Sequence, residues 1–351
     1  MLTWWELMKS RIAIASGLLL LQVAAIGCGR STGPAENGPA SFAAIGPVSG
    51  PLIGYVWDPV APGLRPIFGV SGAARLGAAL YANQKFSDAA VSVAKQFALL
   101  TSATGDIFLT SLPAGEPSLL TPKLSSQQQI AISPSGNSAI IFASDLTSIT
   151  LITGLPTSPA LQTIELPAIA NQAAVSDSGL VLIATTLNNG TSNLRSLTAS
   201  GATAPVTTLS QFGAMAFLPK STSALIADAG QNGVQLASGL GGALNISRIA
   251  SSADGVAKPV AVASSSDARW AIIANQTGSS IVRVDLSGKT PSSSVQCNCS
   301  LAFLMPIAGN DVFRLTDLGA GPLSIFDGNA SKPRVFLIAG IQDNTSQGMV
   351  R

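Results

Sequence analysis

The chain has 351 residues, 10% of them charged, with a formal net charge of +2 and no histidine. The length holds one large domain or two ordinary ones, and 47% apolar content supports a real core and excludes a disordered chain. Without an imidazole, Ser-His-Asp and Cys-His catalysis and histidine-built zinc sites are excluded; near-neutral charge with no Lys/Arg cluster in the body excludes a nucleic-acid footprint.

The N-terminus sets the first expectation. Lys9 and Arg11 precede an uncharged apolar run over 12–26, which is followed by Gly27 and Cys28 and then turns polar. About 15 apolar residues suit a signal-peptide core and fall short of the roughly 20 that span a bilayer. Ala25-Ile26-Gly27-Cys28 resembles the bacterial lipobox, with Gly before the cysteine and Ala25 where Leu is more usual. That resemblance implies cleavage after 27, lipidation of Cys28 and two or more acyl chains, about what stable anchoring requires. The other readings are an ordinary cleaved signal peptide, an uncleaved anchor and a chance cysteine. By the sorting rule of such lipoproteins, Gly29 in place of Asp implies the outer membrane. Residues 28–48 are a tether, of which 29–47 is rich in Gly, Pro, Ala and Ser without a period and reaches roughly 25 Å.

The body, 49–340, is repetitive. Aromatics are only 5% while Gly (34) and Pro (21) are plentiful, a profile of short aliphatic strands and tight turns. Aligned copies beginning at Ile130, Ala173, Gly213 and Pro259 each read strand, polar turn, strand, polar turn, strand. Their second strands end in Ala143, Ala184, Ala227 and Ala274, spaced by about 41, 43 and 47 residues, a period of propeller blades. Looser copies start at Ala89 and Leu301, and 53–70 reads as the outer two strands of one incomplete unit. The fold expected is all-β, a β-propeller of four-stranded blades, seven rather than six or eight, with 341–351 as a C-terminal tail. The pattern resembles the seven-bladed class typified by lactonase-type and surface-layer propellers. It lacks the signatures of the WD-repeat, YVTN-like and quinoprotein classes, so the resemblance implies architecture alone.

Candidate sites follow from that architecture. Turns between second and third strands share one face of the ring, and there the sequence places Ser102, Asp145, Thr186, Asp228, Asn275 and Asp317. Such a ring could hold a cation or polar ligand; Asp, Asn, Ser and Thr also serve tight turns by themselves. Cys297 and Cys299 fall at a blade-to-blade connection on that face. Extended i,i+2 Cα atoms stand about 6.5–7 Å apart, so a disulfide needs a local bend. Buried free thiols, or a redox or soft-metal pair, are the alternatives. Ser92-Val93-Ala94-Lys95 fits the S-x-x-K of penicillin-recognising enzymes but sits in an alternating strand. Gly288-Lys289-Thr290 lacks the first glycine of a P-loop, position 283 being Arg. Tyr55, Trp57 and Trp270 are too scattered for a sugar platform and read as packing residues.

The expectation is therefore a lipid-anchored, non-catalytic propeller of the bacterial envelope that meets other envelope proteins, with no cofactor. The alternatives are a lactonase-type or hydrolase enzyme with carboxylates on a channel Ca²⁺, and a small-ligand or metal-binding lipoprotein using Cys297 and Cys299.

Overall fold

A computed structural model describes residues 50–122, 128–143, 147–309, 311–319, 321–329 and 332–340. The chain divides into Met1–Val48 and Ser49–Arg351. The leader, Cys28, the tether, Asp145 and the 341–351 tail lie outside the described residues.

Apolar runs broken by Gly- and Ser-rich turns fold into seven antiparallel meanders in chain order. Blade 1 holds β1 (Leu52–Asp58), β2 (Gly63–Val70) and β3 (Ala73–Leu76). Blade 2 holds β4 (Phe86–Ser92), β5 (Phe97–Ser102), β6 (Ile107–Ser111) and β7 (Ser118–Thr121). Blade 3 holds β8 (Gln128–Ile132), β9 (Ser138–Ala143), β10 (Ser148–Thr153) and β11 (Ala160–Glu165). Blade 4 holds β12 (Gln172–Val175), β13 (Val181–Thr186), β14 (Ser192–Leu197) and β15 (Thr203–Leu209). Blade 5 holds β16 (Phe212–Phe217), β17 (Ala224–Asp228), β18 (Gly233–Ser238) and β19 (Asn245–Ala250). Blade 6 holds β20 (Pro259–Ser264), β21 (Trp270–Asn275), β22 (Ser280–Asp285) and β23 (Ser293–Gln296). Blade 7 holds β24 (Met305–Ala308), β25 (Val312–Arg314), β26 (Leu323–Asp327) and β27 (Arg334–Ile338). The one helical piece among the described residues is a 3₁₀ turn, Ser252–Asp254.

Burial explains the strand chemistry. Second strands are covered on both faces, as in β9, buried along its whole length, so they read as unbroken aliphatic runs. Ala143, Ala184, Ala227 and Ala274 are at most 2% exposed, the small residues that let neighbouring sheets approach. First strands vary, half-buried in β8 and β16 and mostly buried in β20, and fourth strands are largely exposed, as in β11. Each blade interface is an apolar cluster. Leu182, Ala184 and Leu194 of blade 4 meet Phe217, Ala224 and Ile226 of blade 5. Ile272, Ala274 and Ile281 of blade 6 meet Phe313, Leu315 and Phe326 of blade 7.

The ring closes between blades 7 and 1. Val56 and Ile67 pack on Ile307, Val312, Leu323 and Ile325. Gly54 lies so near the Ile307 carbonyl that a Cβ would overlap it. Blade 1 has one strand more than expected: residues 53–70 supply β1 and β2, and β3 extends the sheet. Ser92-Val93-Ala94-Lys95 also differs from its reading as continuous strand. β4 stops at Ser92, and Lys95 sits in the turn that follows.

Candidate functional site: the two turn faces of the ring

Four of the expected turn residues end their second strands: Ser102, Thr186, Asp228 and Asn275 close β5, β13, β17 and β21. Asp228 is buried, and its carboxylate is saturated from within blade 5. It accepts from the Ser210 amide at 3.0 Å, the Ser210 hydroxyl at 2.6 Å and the Gln211 amide at 3.3 Å. The turn amides of Gly230 and Gln231 add bonds of 3.0 and 3.1 Å. Asn275 is fully buried and plays the same part in blade 6. Its carbonyl accepts from the Ala257 amide at 3.0 Å, and its amide donates to the Gly255 carbonyl at 2.8 Å and the Ser280 hydroxyl at 3.0 Å. Thr186 pairs with Ser192, and Ser102 with Thr104 and the Asp106 amide. These side chains tie the entering loop and the second-to-third-strand turn to the sheet.

Asp317 departs from the expected ring. β25 ends at Arg314, and Asp317 stands three residues on, its side chain 74% exposed and 3.1 Å from Arg314. The longer blade 7 turn displaces it. Among the described residues no three Cys, Asp or Glu side chains assemble as metal ligands. A disulfide joins Cys297 to Cys299, whose Cα atoms stand 5.1 Å apart because the chain bends there. Cys297 is 3% exposed and packs beside Leu301, Leu304 and Phe313.

The opposite face, of first-to-second-strand turns, carries features the sequence reading missed. The Asp177 carboxylate of blade 4 accepts from the Ser135 amide of blade 3 and the Lys220 amide of blade 5, each at 2.7 Å. Asp311 of blade 7 likewise accepts from the Ser266 amide of blade 6 at 2.6 Å. One local signal was available: Ser133, Ser176 and Ser265 open equivalent turns and accept from amides four or five residues on. Beside Asp177 lies a cleft of about 310 Å³ between blades 2, 3 and 4, lined by Lys95, Asn137, Thr153, Leu155 and Thr157. The Lys95 ammonium donates to the Leu155 carbonyl at 3.2 Å. In blade 6 the Arg283 guanidinium lies 3.6 Å over the Trp270 ring, and Arg269 4.8 Å from it. Burial, then repulsion from Arg269, lowers the Arg283 pKa. Tyr55 and Trp57 are buried between blades 1 and 2.

The electrostatics point one way. Burial disfavours the Asp228 charge, but the Ser210 hydroxyl and the amides of Ser210, Gln211 and Gln231 outweigh it and hold the pKa below its ordinary value. Asp177 follows the same pattern, burial being overcome by the Lys220 and Ser135 donors. Asp267 is lowered first by the Ser265 hydroxyl, and Asp285 by the Ser287 hydroxyl. A general base works best with a pKa near the operating pH. These four carboxylates are pushed the other way.

No family model matches this chain, and no curated protein matches it. Solved structures do. A functionally unknown protein from Desulfotomaculum acetoxidans is 14% identical, with a TM-score of 0.55 over 82% of this chain and 99% of that one. Virginiamycin B lyase from Staphylococcus aureus is 14% identical, with a TM-score of 0.53 over 73% of this chain and 84% of the lyase. A catalytically inactive histidine-to-alanine form of that lyase, solved with quinupristin, is 16% identical at a TM-score of 0.50, over 71% and 82%. The chain is a seven-bladed β-propeller. At these identities the likeness is one of fold.

Proposed function

We propose that this propeller is a non-catalytic binding module of the bacterial envelope, lipid-anchored through Cys28, whose partners are other envelope proteins. The observation that carries the non-catalytic half is the fate of its carboxylates. Asp177, Asp228, Asp267 and Asp285 each spend their oxygens on hydroxyl or amide donors of the turns around them. The Ser–Asp pairs they form cap turns, and a serine facing a weakened base is not activated for attack. The inactive lyase neighbour lost a histidine, and this chain has none to supply. A channel-calcium hydrolase finds little support, since Asp228 is filled by protein donors and Asp317 stands apart. The anchoring half rests on the run ending at Ala25-Ile26-Gly27-Cys28 and the tether behind it.

The test is to cross-link living cells, capture the protein by a C-terminal tag, and determine the mass of its N-terminus and the proteins attached. A diacylated Cys28 and a reproducible set of envelope proteins are expected. An N-terminus that retains residues 1–27 overturns the anchor, and a lipidated protein recovered without partners overturns the binding role.

A further inference from the structure

The turn after β4 and the turn after β10 meet at the cleft beside Asp177. Lys95, in the first, donates from its ammonium to the Leu155 carbonyl in the second at 3.2 Å. Gly136 of blade 3 closes on the same lysine. A Cβ there would overlap the Ser92 hydroxyl and stand 3.4 Å from the Lys95 Cγ, and the φ of 72° favours glycine besides. Three ion pairs occur among the described residues, each joining an arginine to an aspartate, and Lys95 is in none of them. The carboxylate in the lining, Asp177, gives one oxygen to the Ser135 amide and the other to the Lys220 amide. The rest of the lining is neutral: Asn137, Thr153, Thr157 and Ser178 carry hydrogen-bonding groups beside the buried Leu155.

We propose that this cleft binds a small hydroxylated monocarboxylate, of the sugar-acid class, with its carboxylate on the Lys95 ammonium. The ammonium carries three donors and Leu155 takes one, which leaves two for an anion. One positive charge matches one carboxylate, whereas the dianion of a phosphate would bring a second negative charge towards Asp177. The Asn137 amide and the hydroxyls of Thr153, Thr157 and Ser178 both donate and accept, as the hydroxyl groups of such a ligand do. The volume of about 310 Å³ lies at the small end of the roughly 300–1,000 Å³ typical of ligand sites, which suits one ring-sized molecule rather than a polymer. Such binding requires neither the Cys28 anchor nor a protein partner.

The test is titration of the full chain with D-glucuronate, with D-glucose as the uncharged probe, read by calorimetry and by amide chemical shifts. Glucuronate is expected to bind more tightly than glucose and to move the amides of Asn137, Thr153 and Ser178. Lys95→Gln is expected to weaken glucuronate about fivefold, the upper range for one exposed ion pair, and to leave glucose unchanged. Lys95 is exposed, so the variant keeps the fold. Lys220→Gln, on the same face but outside the lining, is expected to change neither. No glucuronate binding at millimolar concentration, or shifts confined to other blades, overturns the site. Equal binding of glucose and glucuronate, or equal loss in Lys95→Gln and Lys220→Gln, overturns the role of the Lys95 ammonium.

Discussion

Asp177 and Lys220 belong to different blades, yet the carboxylate of the first accepts the backbone amide of the second at 2.7 Å. With Ser135 on its other oxygen, Asp177 fastens three successive blades on one face of the ring. Apolar clusters fill each blade interface and are non-directional, and polar bonds such as Ser266 to Asp311 and Lys95 to the Leu155 carbonyl add direction elsewhere. A carboxylate shared by two turns fixes the angle between them.

Asp177→Ala should therefore cost about 2 kcal/mol, since two amides lose a charged acceptor. Asp177→Asn should cost less, its one carbonyl still serving one turn. Urea unfolding of both variants checks this. Equal stability of Asp177→Ala and the parent would show that the two bonds are incidental.

Asp228→Ala removes an acceptor from five donors in a buried turn. A loss of about 2–4 kcal/mol is expected. The pH dependence has a definite sign. The folded carboxyl titrates below its ordinary value of about 3.9. Its stabilisation is complete above that value and disappears as pH falls through the lower folded one. Thermal unfolding from pH 6 downward should show the parent losing stability below pH 4 more steeply than Asp228→Ala. Parallel curves would contradict the assignment.

Gly54→Ala should damage ring closure, because its Cβ would overlap the Ile307 carbonyl and only backbone movement relieves that. Overpacking of this kind costs about 1–3 kcal/mol or more. Gly309, with nothing within 4 Å of the added carbon, is the control, and Gly309→Ala should stay within about 0.5 kcal/mol of the parent. If both variants melt alike, the close approach of blades 1 and 7 is not what holds the ring.

The Cys297–Cys299 disulfide encloses a single residue, so it restrains little chain entropy when unfolded. Reduction should lower stability by about 2 kcal/mol at most and release two thiols. Thiol titration with and without reductant, followed by a melt, reads both. A collapse of the fold on reduction would assign the bond a larger structural role.

Sequence by itself determined the blades. A second strand covered on both faces must be an aliphatic run, and its burial demands small residues at fixed places, so Ala143, Ala184, Ala227 and Ala274 mark the repeat without any knowledge of neighbours. Chain connectivity then allowed only meanders, and a sheet with two apolar faces must stack on others. Tertiary structure alone decided what the polar turn residues do. An aspartate at a turn looks the same whether it awaits a cation or caps a loop, and Asp228 reads as a cap only once Ser210 and Gln211 are brought beneath it by pairing of β16 with β17. Asp317 matched the ring by alignment and left it because the blade 7 turn is longer. The Asp177 bonds to Ser135 and Lys220 span some 42 and 43 residues, and no local pattern carries a contact whose partners meet only when blades 3, 4 and 5 stand side by side.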